Sequence, residues 1–266
     1  SSLLTNASAM TALQTLANIN KNLATTQERI STGLRVNQAS DNAAYWSIAT
    51  GMRAHNASLS AVQDTIGLGK AIVDTAYTAL NEAIDLTKQI MAKHVAKAQM
   101  AENSAEAEAI QAEIDALVAQ VDEIAKQATF QGKNLLHANA EDITVVSGYN
   151  IGAADADASI SNVTVKHYKL QGALSGVDSA HAVEAKLNDM IKAAGDLGAA
   201  KIQLDSQARF TSALMDSIDR GIGQLVDADM NEESARLSAL QVQQQLGIQA
   251  LSIANANAQN ILALFR

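Results

Sequence analysis

RISTGLRVNQASDNAAYW, residues 29–46, closes one helical pattern and opens another within a dozen positions. Before it, Leu13, Leu16, Ile19, Leu23 and Ile30 recur at the three-to-four spacing of one helix face. Gly33, lacking a Cβ, closes that helix in a left-handed conformation at little cost. Ser40 or Asp41 offers a side-chain oxygen to the unpaired amides of the next helix. The chain contains no proline, so its breaks are made by such residues.

Downstream, Ile48, Met52, Leu59, Val62, Ile66, Val73, Leu80 and Ile84 keep the helical spacing. They predict a helix over 42–95, roughly 80 Å long at 1.5 Å per residue. Gly67 and Gly69 interrupt it, which predicts close approach of a neighbouring backbone. AQMAENSAEAE (98–108) reads as a turn, and Ile110, Ile114, Leu117, Val121 and Ile124 form the next seam. ATFQGKNLL (128–136) ends it, with Gly132 as the stop. A fourth helix carries Leu187, Met190, Leu197, Leu204, Met215, Ile218, Ile222 and Leu225. After a break at 226–231, the last helix runs over 232–266, with Leu237, Leu240, Leu251, Ile261 and Phe265 on one face.

The middle differs. ITVVSGYNIG (143–152) and SISNVTVKHYKL (159–170) are β-branched, partly alternating and bounded by Gly, Asn and Ser, which predicts one or two hairpins. The fold class expected is mainly α: an elongated antiparallel helical rod or coiled-coil bundle with paired terminal helices and a small central β-hairpin region.

Composition agrees. Hydrophobic residues make up 48% of the 266, yet aromatics only 3%, where a compact core of this size would use more of them. Small aliphatics suit helices packed side by side. A net charge of −9 argues against nucleic acid as a partner. No run of 18 apolar residues supports membrane insertion. SSLLTNASAM lacks the basic and apolar regions of a secretory signal.

Nothing points to catalysis, a cofactor or a metal. GLGKAIVDT (67–75) resembles part of a phosphate loop but lacks the first glycine and follows a helical pattern. The five histidines have no paired ligand spacing. The terminal segments are more informative. Leu246, Ile248, Leu251, Ile253, Ile261, Leu262, Leu264 and Phe265 surround their helix, and a helix apolar on several sides needs neighbours on several sides. Burial between molecules is therefore expected. The candidate interface comprises Leu13, Leu16, Ile19, Leu23, Ile30, Leu237, Leu240, Leu246, Leu251, Ile253, Ile261, Leu264 and Phe265.

RISTGLRVNQASDNAAYWSIA (29–49) resembles the N-terminal signature of bacterial flagellin. ALNEAIDL (79–86) and IQAEIDALVAQVDEIAKQATFQGKNLL (110–136) resemble the rest of that N-terminal region. LVDADMNEESARLSALQVQQQLGIQALSIANANAQNILALFR (225–266) resembles its C-terminal region. The YWSIA wording and short middle are most similar to alphaproteobacterial flagellins.

The resemblance implies an architecture. Residues 1–33 and 232–266 would be terminal helices forming the inner filament core. Residues 41–136 and 177–225 would form a helical rod, and 137–176 a β-rich distal element, with no large outer domains. It implies a homopolymer in the extracellular flagellar filament, exported unfolded through the type III channel. Its partners would be an export chaperone and the hook-junction and cap proteins. ANANAQN (254–260) lacks the proline flagellins often carry there. Gln89 and Lys93 stand where receptor-activating flagellins have an arginine and a leucine, implying weak recognition by toll-like receptor 5. A hook–filament junction protein, or a coiled-coil interaction module outside the flagellum, are the alternatives.

Overall fold

The computed structural model describes residues 6–101, 104–150 and 160–264, with side chains in the last helix up to residue 256. Among these residues it has five helices and one hairpin: α1 (Ala7–Thr32), α2 (Ala43–Ala98), α3 (Ala105–Gln127), β1 (Ile143–Tyr149), β2 (Ile160–Val165), α4 (Ala180–Val226) and α5 (Met230–Leu264). Two compact units divide them. One comprises residues 1–54 and 218–266, the other residues 55–217. Packing thus draws its line inside α2 and α4, and not at the breaks beside Gly33 and Asp227.

The core of the second unit follows a seven-residue period along α2. Leu59, Ile66, Val73 and Leu80 are each at most 1% exposed, and the same seam continues through Thr87 and His94. Ile114 and Val121 of α3 and Met190, Leu197 and Leu204 of α4 join Ile66, Val73 and Leu80 in one cluster. Two polar groups on an apolar seam need an account. The Thr87 hydroxyl donates to the Ala83 carbonyl at 2.7 Å and lies 3.4 Å from the Met190 sulfur, so it is satisfied inside its own helix. His94 is buried and its Nε2 has no hydrogen-bond partner.

Burial holds the His94 imidazole below its usual pKa, helped by Lys97 and opposed by Asp178. The unfolded chain therefore binds more protons than the folded one between the depressed pKa and 6.5. Stability of this unit is expected to rise with pH across that window and to fall as pH drops through it. Denaturant midpoints from pH 4.5 to 7.5 measure the slope, and His94→Leu should flatten it.

The expected turn at 98–108 is shorter than its polar composition suggested. Ser104 accepts the Ala107 amide at 3.2 Å, and Glu106 and Glu108 sit in the first turn of α3, where the helix dipole favours acids. The second half of the polar patch is therefore helix. Gly132 is likewise not the helix stop. α3 ends at Gln127, and Gly132 (φ 75°) with Gln131 (φ 51°) makes the following tight turn, in which Phe130 and Lys133 exchange backbone hydrogen bonds at 2.9 Å.

The two apolar segments of the middle form a single antiparallel hairpin, Ile143 opposite Val165 and Tyr149 opposite Ile160. The pairing slips between Val146 and Gly148. This bulge re-aims the strand, so Val145, Ser147 and Gly148 are all buried. Val145, Val163 and Val165 enter the common core. KHYKL, expected to extend the second strand, lies beyond it.

Gly67 and Gly69 have different settings. A Cβ on Gly67 would meet open space, so no close approach explains it. On Gly69 a Cβ would lie 2.7 Å from both γ carbons of Val145, so the hairpin sits on α2 where only glycine fits. The contact is with a side chain, where a backbone was expected. Gly69→Ala is expected to destabilise the unit by about 1–3 kcal/mol, read by chemical denaturation. Adding Val145→Ala should recover part of that loss, and Gly67→Ala should stabilise by about 1 kcal/mol or less.

Candidate subunit interface

α1 and α5 belong to the same unit and pair antiparallel through a series of rungs. Near the start of α1, Asn6 caps the helix by accepting the Ala9 amide, and its Nδ2 donates to the Ala254 carbonyl at 3.0 Å. Midway, Gln244 Nε2 donates to Asn20 Oδ1 at 2.7 Å. Gly247 admits Leu16, whose Cδ1 would be 3.2 Å from an added Cβ. At the far end Arg29 Nη1 donates to Glu233 Oε1 at 3.1 Å, with Arg236 Nη1 3.8 Å from the same oxygen.

This pairing divides the expected interface residues. Leu16, Ile19, Leu23 and Ile30 are half-buried, as are Leu237 and Leu251, and Leu240 is buried. On α5, positions 237, 240, 244, 247 and 251 share the stripe turned to α1. Leu246 and Ile253, 58% and 62% exposed, lie on the opposite stripe with Val242, and Leu13 of α1 is 52% exposed. Met10 and Val242, also exposed, were not in the expected set, although their spacing to Leu13 and Leu246 was visible. Ile261 and Leu264 fall in the helical stretch whose side chains are not described, and Phe265 lies outside the described residues.

Both breaks sit at one place. Gly33 takes φ 73° and its amide closes α1 on the Arg29 carbonyl at 2.8 Å. Its carbonyl accepts the Ala228 amide at 2.9 Å, and the amides of Arg35 and Val36 both donate to the Val226 carbonyl. The Arg35 guanidinium donates to the Leu225 carbonyl at 3.0 Å and stands 5.9 Å from the Tyr45 ring centroid.

Capping of α2 differs from expectation. Asp41 accepts the Asn37 and Gln38 amides, each at 3.0 Å. The Gln38 amide first, and then the Asn37 amide, hold its carboxyl below the usual range. It therefore organises the connecting turn, in which Ser40 is exposed. The cap is Asn42, whose Oδ1 accepts the Tyr45 amide at 3.0 Å. A capping residue stands immediately before the first helical residue, so that its oxygen reaches the amide two or three positions on, and Asp41 is one position too early.

Among the described residues no group of three potential ligands could hold a metal. Within the stretch that resembled a phosphate loop, Lys70 and Asp74 lie inside α2 and pair with Asp205 and Lys201 of α4. His167 pairs with Asp142 at 2.6 Å. Burial pushes the Tyr168 phenol up to about 12. No described helix is long and apolar enough to cross a membrane.

The helical ends match known sequence families. Residues 3–141 match the bacterial flagellin N-terminal helical region, and residues 180–265 match the bacterial flagellin C-terminal helical region. The chain belongs to the flagellin family. It is 48% identical to a flagellin of Brucella melitensis, over all of this chain and 99% of that one. It is 41% identical to flagellin C of Rhizobium meliloti, over all of this chain and 99% of that one. With flagellin FljK of Caulobacter vibrioides the identity is 35%, over 98% and 97%. This flagellin-family chain is thus of the alphaproteobacterial type, a structural subunit of the extracellular flagellar filament. The family is a structural one and not an enzyme family.

Proposed function

We propose that this chain polymerises with its own copies through the outward stripes of α1 and α5, giving the propeller filament of swimming motility. The observation that carries this reading is the two-sided apolar character of α5: one stripe meets α1, while Leu246 and Ile253 face out. Full burial of each such side chain is worth about 1.5–3 kcal/mol. Contacts of this kind that do not close on themselves grow an open helical lattice.

In this reading residues 1–33 and 232–266 form the inner core of the filament. Residues 41–136 and 177–225 form the rod around it, and 137–176 a distal element. Export is as an unfolded chain through the flagellar channel, with a chaperone before it and the junction and cap proteins after it. Electron microscopy of the purified full chain in ammonium sulfate, which strengthens apolar burial, is expected to show long tubes. Discrete oligomers would instead indicate a coiled-coil module.

Recognition by toll-like receptor 5 is proposed to be weak. Gln89 is exposed, and the Lys93 ammonium pairs with Glu113 of α3. Purified chain applied to receptor-expressing reporter cells is expected to signal at least tenfold more weakly than the double variant Gln89→Arg, Lys93→Leu (on the order of 1.4 kcal/mol of binding). Equal signalling by both would refute it.

A further inference from the structure

We propose that an outward ridge of α4 in one copy of this chain seats in the groove between α2 and α3 of the next, with Arg209 of the ridge meeting Glu82 of the groove. The proposal rests on the polymerising reading above and adds a second contact to it. Ile191, Ile202 and Phe210 of α4 are 50%, 70% and 61% exposed, and Gly195, Ala199 and Ser206 occupy the exposed positions between them. At about 100° per residue these six fall within roughly a third of the helix circumference. They are turned from the buried seam of Leu197 and Leu204. A single exposed apolar side chain is ordinary, whereas a continuous apolar run marks a contact. Phe210 is one of only three phenylalanines in the chain, and it stands outside the core.

The groove is the matching concavity. Its volume is about 590 Å³, and its walls include Thr75, Thr78, Ala79 and Glu82 of α2 with Ile124 and Gln127 of α3. An apolar cavity of about 150 Å³ takes a benzene ring, so two large side chains fit here. The ridge of the same chain does not fill it, since Ile202 and Phe210 are both exposed. Charge agrees with shape. Arg209 and Glu82 are exposed, and neither has an ion pair among the described residues. Asp74, the other carboxylate of the lining, is already held by Lys201 of α4. Ile202 to Arg209 and Thr75 to Glu82 are equal steps, each about 10 Å along its helix. One docking therefore brings Ile202 to Thr75 as Arg209 reaches Glu82. Ridge and groove are different surfaces, so every contact leaves one of each free and the lattice stays open.

Sedimentation of the full chain in ammonium sulfate tests the pair. Arg209→Glu and Glu82→Arg are each expected to raise the critical concentration about tenfold or more, because like charges then face each other. Circular dichroism of both should match the unaltered chain. An equimolar mixture of the two variants, and the double variant, should return to within about threefold of the unaltered value, since the exchanged charges meet across the contact in either case. Single variants that polymerise like the unaltered chain would overturn the ridge-and-groove contact and leave filament growth standing. Recovery by the double variant without recovery of the mixture would place the pair inside one chain and overturn it as well. An unaltered chain that forms no tubes would remove the polymerising reading and this contact together.

Discussion

The full chain carrying Leu246→Asp and Ile253→Asp is expected to remain helical and to stop polymerising. Both side chains lie on the α5 stripe turned away from α1 and are more than half exposed, so neither change opens the α1–α5 pairing. With about three-fifths of each side chain left to bury, each would forfeit about 1–2 kcal/mol of apolar burial in a polymer. Together that raises the critical concentration about thirtyfold to a thousandfold, before the cost of burying a carboxylate is counted. Sedimentation of polymer against total concentration gives the number. Circular dichroism of the same samples separates lost assembly from lost folding. An unchanged critical concentration would place the subunit contacts elsewhere.

The other large effect concerns stability. Leu80 and Leu204 are fully buried on α2 and α4, in the cluster that α3 and the hairpin also enter. Truncating either to Ala leaves a cavity in that cluster, at about 3–5 kcal/mol. For a unit of this size each kcal/mol moves the midpoint by about 2–4 °C, so scanning calorimetry should record a drop of about 6–20 °C. Ile202, only two positions before Leu204, is 70% exposed, and Ile202→Ala should stay within about 0.5 kcal/mol. If the two substitutions proved equal, the division between core and surface of α4 would be wrong.

Legibility followed the range of the interaction. The seam Leu59, Ile66, Val73, Leu80 is a local period and was readable, and with it the long second helix. The hairpin was readable because β-branched alternation is also local. Gly33 was readable as a stop, since its left-handed conformation is a property of one residue. The Asn42 cap was missed because three adjacent polar residues, Ser40, Asp41 and Asn42, all have the chemistry, and only the backbone path decides which oxygen reaches an amide. Gly69 was visible as a glycine, but its partner Val145 lies 76 positions away and nothing in the local sequence points to it.

What the sequence alone determined is the order of helices, their breaks, the single β-rich interval and the family, because period, glycine and capping chemistry act within a few residues. Tertiary structure decided which apolar stripe of α5 turns to α1 and which stays out. It also decided that the two breaks form one joint and that Glu233 is buried against Arg29. Each of these depends on which distant segment arrives opposite a given face. Hydrophobicity alone does not choose between two apolar sides of the same helix.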